Sequence, residues 1–299
     1  WNPKEIRARI DEILPPGKVI PRHNEKGHFY EVTEGEFPIY PSVTSKLQIL
    51  KDQGLMNYKM NRAVEYVFGH YKEFNDSNIM EHLDTASRVS QDILEDAGDI
   101  GIRIHSYREK IFKEWIDVGI RPENFLSFIP PEDVDVSAIS AIRALQQFCI
   151  DKDYIPIYSE LLVYSHEDKV AGTLDDLGLM RKIINEGDKN CDHSVHVRNN
   201  DDGNWGKYAK TTCLQCGYQS RYEFILMDVK TSNQLKDHYF FQVCLYWRMF
   251  WKLIGIEWKP ERCIIVQLSK ENGRYKIEDL KKPAKLATYA RHMLKTNEA

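Results

Sequence analysis

An α/β fold, a core sheet behind a helical N-terminal lobe, is predicted by three features of this sequence. Helix-period apolar spacing dominates as far as about residue 151. Strand-length apolar runs then follow at residues 155–164, 170–180, 223–230 and 262–268. A long helix-period stretch, residues 235–254, separates the last two runs. Helices, then strands, then helix and strand again suit a sheet covered by helices.

The elements read as follows in chain order. Residues 3–14 form a short amphipathic helix, stopped by Pro15-Pro16-Gly17. Residues 19–40 alternate around Glu25-Lys26-Gly27 and Glu34-Gly35, the pattern of a hairpin. Ser42 or Thr44 can cap a helix over residues 46–50. Helices are expected over 55–70, 78–94, 99–118 and 134–151, with a loop at 122–131. Strands 155–164 and 170–180 pair through a turn at 165–169. Strand 223–230, helix 235–254, strand 262–268, a further run at 274–277 and a helix over 281–294 complete the chain. Domain organisation follows: residues 1–151 as N-terminal hairpin and helical lobe, 152–299 as core, and 184–222 as an insert within that core.

Composition narrows the function classes. The chain of 299 residues carries a net charge of -4, which excludes a strongly basic DNA-coating protein. An acidic balance is compatible with a site of carboxylates offset by bound cations. No apolar stretch is long enough to span a bilayer and no charged-then-apolar leader is visible. The expected location is intracellular: a bacterial or phage-infected cytoplasm, or an organelle matrix. No G-x-x-x-x-G-K-[ST] loop occurs, so no P-loop motor is expected. Six cysteines in a chain this long are not a disulfide framework. Cys149, Cys244 and Cys263 lie in apolar contexts and read as buried thiols.

Two acids and a lysine carry the chemistry. Asp175 ends the apolar run of one strand, and Asp228-Val229-Lys230 ends another. Side chains alternate along a strand, so Asp228 and Lys230 share a side. With Asp175 beside them, two carboxylates and the Val229 carbonyl offer oxygen ligands to a hard divalent cation, Mg²⁺ or Mn²⁺. Lys230 then stands next to the polarised water or phosphate, which suits phosphodiester hydrolysis. Thr231 and Ser232 follow the lysine, where hydroxyls and amides can reach a phosphate. Ser42 and Thr44 can do the same from a helix start, or serve as plain caps. Lys236, His238, Tyr239, Arg248 and Lys252 offer cations and aromatics to a single strand, although most of 239–251 also reads as core.

The ordered set of motifs resembles the PD-(D/E)XK nuclease superfamily in its RecB-like exonuclease branch. Gly101-Ile102-Arg103-Ile104-His105 matches its helical G-x-x-x-H, and Glu160 its acid on the first core strand. Gly172 to Asp175 matches G-x-x-D, Asp228-Val229-Lys230 matches D/E-x-K, and Gln242-Val243-Cys244-Leu245-Tyr246 matches Q-x-x-x-Y. Tyr40-Pro41-Ser42-Val43-Thr44 is similar to the P-S-V-T segment of the mitochondrial genome maintenance exonuclease and related phage nucleases. The likeness runs from about Pro41 to Gln267. It implies a mixed central sheet flanked by helices. It further implies His105 as an additional metal ligand and Glu160 as a carboxylate that binds or orients the metal site. Gln242 and Tyr246 are implied as contacts to the scissile phosphate and Lys230.

The insert departs from the simplest members of that family. It holds Cys191-Asp192-His193, then His196, then Cys213-Leu214-Gln215-Cys216-Gly217, in a polar and turn-rich setting. So few apolar residues cannot build a core, and a structural Zn²⁺ ion would supply the missing folding energy. Cys213, Cys216, Cys191 and either His193 or His196 complete a tetrahedral set. His193 is preferred for its C-x-H spacing; a redox C-x-x-C and unliganded thiols are the alternatives. The expected function is a metal-dependent DNA exonuclease acting on single-stranded ends, in replication, recombination or repair. A structure-specific or flap endonuclease, and a nuclease-fold binding module recruited through its zinc insert, are the competing readings.

Overall fold

The computed structural model describes residues 1–24, 27–34, 39–47, 52–75, 77–188, 190–191, 196–198 and 211–296. Helix α1 (Pro3–Ile13) starts where Asn2 accepts the Lys4 N–H, and it buries Ile6 and Ile10. Strands β1 (Val19–Asn24), β2 (Gly27–Val32) and β3 (Ile39–Pro41) form a small antiparallel sheet, one strand more than a hairpin. Helix α2 (Val43–Lys46) is capped by Ser42, whose Oγ accepts the Ser45 N–H at 2.9 Å. Helix α3 (Asp52–His70) follows.

Helix α4 (Ile79–Val118) is one helix of 40 residues where two were expected. Gly98 and Gly101 lie inside it. Each glycine costs only about 1 kcal/mol relative to alanine, and neither proline nor a capping pattern interrupts the segment. The helix ends at Gly119 (φ 76°), whose N–H closes on the Trp115 carbonyl. Helix α5 (Val136–Asp151) is capped by Asp135, which accepts the Ala138 N–H at 2.8 Å.

The main sheet is built from β4 (Ile155–Ser165), β5 (Val170–Asn185), β6 (His196–Arg198), β7 (Thr211–Cys213) and β8 (Gln219–Lys230). Helix α6 (Asp237–Ile254), strands β9 (Arg262–Leu268) and β10 (Tyr275–Asp279), and helix α7 (Pro283–Thr296) finish it. Strand order is β10-β9-β8-β5-β4, with β7 pairing β8 and β6 pairing β7. The β8–β9 pair is parallel, joined by α6, and the others are antiparallel, so the sheet is mixed. Phe224, Ile225, Leu226 and Met227 are all fully buried because β8 is covered on both faces. One face packs on α1, α6 and α7 through Leu177, Leu179, Phe224, Leu226 and Phe250. The other packs on α4 and α5 through Ile104, Phe112, Phe148, Ile225 and Met227.

Strands β5 and β8 run well past their expected ends, to Asn185 and from Gln219. Residues 181–185 are exposed and lack a one-sided apolar pattern. Ladder hydrogen bonding to the facing strand, which sequence periodicity does not report, carries the extension. Among the described residues no helix is long and apolar enough to cross a membrane.

Candidate functional site

The site lies where β4, β5 and β8 meet the middle of α4. Ile104, Tyr107, Ile111 and Phe112 anchor α4 in the core. His105 and Arg108, three apart on the helix, therefore face the sheet together. His105 Nδ1 stands 3.7 Å from Asp175 Oδ2. Single donor atoms of His105, Glu160 and Asp175 all lie within 4.8 Å of one another, close enough for one ion. Glu160 reaches this position from a left-handed backbone (φ 56°), an uncommon state for a residue without glycine's freedom. A register shift between Pro156 and Tyr158 precedes it on the same strand. Such strain persists only where the surroundings hold it, and it clusters at working sites.

Asp228 stands beside this triad rather than inside it. Its Oδ2 is 2.7 Å from Lys230 Nζ, and its Oδ1 is buried without a hydrogen-bond partner. The Val229 N–H between them donates to Asp175 Oδ2 at 2.8 Å, tying the end of β8 to β5.

Two groups that sequence reasoning missed organise these acids. Arg108 is fully buried and pairs with Glu160, with Asp175 at 2.9 Å and with Asp176 at 3.3 Å. Asp176 is also fully buried. A charged residue inside the Ile104–Tyr107–Ile111 stripe was the available signal for Arg108. For Asp176 it was an acid followed directly by the buried Leu177.

The electrostatics follow from four carboxylates facing two cations. Burial pushes Asp176 up to about 8, against the pull of Arg108. Burial also raises Glu160, opposed by Arg108, and Asp228, opposed by Lys230. Asp175 goes the other way. Burial works to raise it, but Arg108, His105, Lys230 and the Val229 N–H outweigh burial and hold it well below the usual carboxylate range. His105 is pushed down to about 4, chiefly by burial, so its imidazole is neutral near pH 7 and offers a lone pair. Lys230 stays charged: burial would lower it, but Asp228 and Asp175 raise it further.

The α6 side presents the other expected residues. Gln242 Nε2 donates to Tyr246 Oη at 3.2 Å and to Thr44 Oγ1 at 3.1 Å. Tyr246 lies so close to Gly172 that a Cβ there would meet the ring at 2.6 Å. Gly101 faces Thr231 Oγ1 at an ordinary contact distance of 3.5 Å, so its closeness to the sheet edge leaves room for a methyl. Lys230 Nζ sits 5.2 Å from the Tyr239 ring centroid.

The expected nucleic-acid contacts are only partly available. Thr231 is buried, Ser232 donates to the Gln234 carbonyl, and Lys236 takes the N-cap position of α6. His238 is buried against Tyr239 rather than presented to a strand. Arg248 is held by Glu167 at 2.9 Å, and Lys252 lies over Trp251. Ser42 serves as the α2 cap.

At the far end of the β5–β8 ladder, Cys191, Cys213 and Cys216 converge, again with donor atoms within 4.8 Å of one another. His193 lies outside the described residues. Cys149, Cys244 and Cys263 are buried, and burial pushes each thiol up.

No family profile matches this sequence, and no curated protein is similar to it. Among solved structures that match, the crystal structure of SSO0001 covers 64% of this chain and 72% of its own. It does so at 13% identity and a TM-score of 0.23, too low for the likeness to carry an argument about fold or activity.

Proposed function

We propose that this chain is a divalent-cation-dependent deoxyribonuclease of the PD-(D/E)XK type, in the RecB-like exonuclease branch. It hydrolyses phosphodiester bonds at single-stranded DNA ends, in replication, recombination or repair. In this reading residues 152–299 are the nuclease core, and residues 1–151 form a helical lobe that lends it His105 and Arg108. The observation that carries the reading is the convergence of His105, Glu160 and Asp175 beside the Asp228–Lys230 pair.

The donor set fits a hard cation. Two carboxylates and a neutral imidazole converge, and the unpartnered Oδ1 of Asp228 stands next to them. A mixed oxygen and nitrogen set accepts Mn²⁺ readily and Mg²⁺ with water completing its shell. Asp175, His105 and Glu160 would hold the ion, with Asp228 and the Val229 carbonyl as further ligands. When bound, the ion polarises a phosphate oxygen and lowers the pKa of water. Lys230 Nζ, held charged by Asp228 and Asp175, orients the attacking water and offers its charge to the phosphate. Arg108, fully buried, holds Asp175 ionised and opposes the effect of burial on Glu160 and Asp176. Gln242 and Tyr246 would offer an amide and a hydroxyl to a phosphate oxygen.

Digestion of end-labelled single-stranded, duplex and circular DNA with Mn²⁺ or Mg²⁺ tests the reading. Linear single strands should be degraded, circles should resist, and chelator should stop the reaction. Cleaved circles would move the assignment to an endonuclease. Binding without metal-dependent cleavage of any substrate would replace it with a binding module.

A further inference from the structure

We propose that the tip of the β5–β8 hairpin holds one structural zinc ion, ligated by Cys191, Cys213, Cys216 and His196. Four ligands at about 2.3 Å in a tetrahedron stand about 3.8 Å apart. Cys191 and Cys213 Sγ atoms are separated by 3.8 Å, and Cys216 joins them within 4.8 Å. That spacing is far beyond the roughly 2.05 Å of a disulfide.

The backbone is shaped to bring the thiols together. Gly217 (φ 74°) turns the chain after Cys216, and its N–H returns to the Cys213 carbonyl at 2.9 Å. Cys213 N–H in turn donates to the Tyr218 carbonyl at 2.8 Å. Asn185 holds the Gly217 carbonyl from the opposite strand. Gly187 (φ 62°) passes so close that a Cβ would meet Cys216 Sγ at 2.8 Å. Around this knuckle Ile183, Ile184 and Leu214 are exposed, so the tip is not held by packing of these apolar side chains. A metal supplies cohesion there, because binding energy at a site absent from the unfolded chain is folding energy.

The register selects the histidine. Strands β6 and β7 pair antiparallel with His196 directly opposite Cys213. Directly opposed residues of an antiparallel pair have Cβ atoms about 4.5–5.5 Å apart on one face. The backbone register thus puts residue 196 opposite Cys213 of the cluster.

The ion would be structural. Four protein ligands leave no open position for water. Asp175 and Asn185 are separated by ten residues of β5, roughly 30 Å of strand, so the tip is remote from the acids. Zinc content is therefore a readout independent of nuclease activity.

Elemental analysis of the desalted full chain should find one zinc per chain and no iron. His196→Ala should weaken zinc retention against a competing chelator by more than about tenfold, a loss that even outer-shell changes can reach. His196→Cys should restore retention, and His193→Ala should leave it unchanged. Should the alanine variant fail to fold, Co²⁺ exchanged into the unaltered protein decides the matter. Intense tetrahedral visible bands with thiolate charge transfer are expected. Weak octahedral bands, iron in place of zinc, metal-free protein, or loss confined to His193→Ala would each overturn the assignment.

Discussion

Lys230 supplies both the charge beside the buried Asp228 carboxylate and the position that the proposed chemistry needs, so its removal acts on stability and on cleavage. Lys230→Ala should lower the unfolding midpoint, because buried Asp228 loses its partner, and cleavage by the folded variant should fall about 10²–10³-fold, as when one donor that stabilises transition-state charge is removed. Near-parental turnover at saturating Mn²⁺ would sink its role. Arg108 pairs with Glu160, Asp175 and Asp176 from a fully buried position. Arg108→Gln should lower stability by about 3–5 kcal/mol, the cost of leaving buried charge unpaired. Added Mn²⁺ should recover part of that loss, since an ion that binds only the folded state stabilises it by mass action. Urea unfolding with and without Mn²⁺ measures both effects; an unchanged midpoint would refute the charge argument.

At the scale of elements, the close approach of α6 to β5 depends on Gly172. Replacing it by alanine places a methyl within 2.6 Å of the Tyr246 ring, and neither the β5 backbone nor a fully packed α6 can yield cheaply. Gly172→Ala should cost about 1–3 kcal/mol, as overpacking does. It should also displace Tyr246 from Gln242 and lower cleavage. Denaturant titration and a cleavage assay check this; a neutral result in both would mean that the helix shifts freely. The continuous α4 matters for the same reason. One helix spans Ile79–Val118, and Ile104, Tyr107, Ile111 and Phe112 in the core set the turn that carries His105 and Arg108.

Across the whole molecule, Glu223 ties three strands together. It is 2% exposed and pairs with Lys182 of β5 at 2.8 Å, Arg221 of β8 at 2.9 Å and Arg262 of β9 at 3.3 Å. Burial alone would raise its carboxyl, but Lys182, Arg221 and Arg262 outweigh burial and lower it. A carboxyl with a depressed folded-state pKa stabilises the protein above its unfolded value of about 4.3. That contribution is lost as pH falls through the lower, folded value. Stability measured from neutral pH downward should therefore decline more steeply below about pH 4.3 in the parent than in Glu223→Gln. Identical acid limbs for the two proteins would show that the strand tie is not expressed in stability.

Periodicity and spacing alone determined the α/β class, the order of the main strands and helices, and the placing of Asp175, Asp228 and Lys230 on two core strands. They also picked out the three cysteines of the insert. These features are local: alternation along a strand and the two-residue gap of C-x-x-C are written in neighbouring residues. What depends on partners distant in sequence was decided only by the tertiary structure. The register of β5 on β8 extended both strands, and docking of α4 buried Arg108 among acids 52 residues and more away. A left-handed backbone turned Glu160 toward His105 and Asp175, and the pairing of β6 with β7 put His196 opposite Cys213. Strand register and helix docking are selected by burial of whole faces and by satisfaction of ladder hydrogen bonds, quantities that no single stretch of sequence contains.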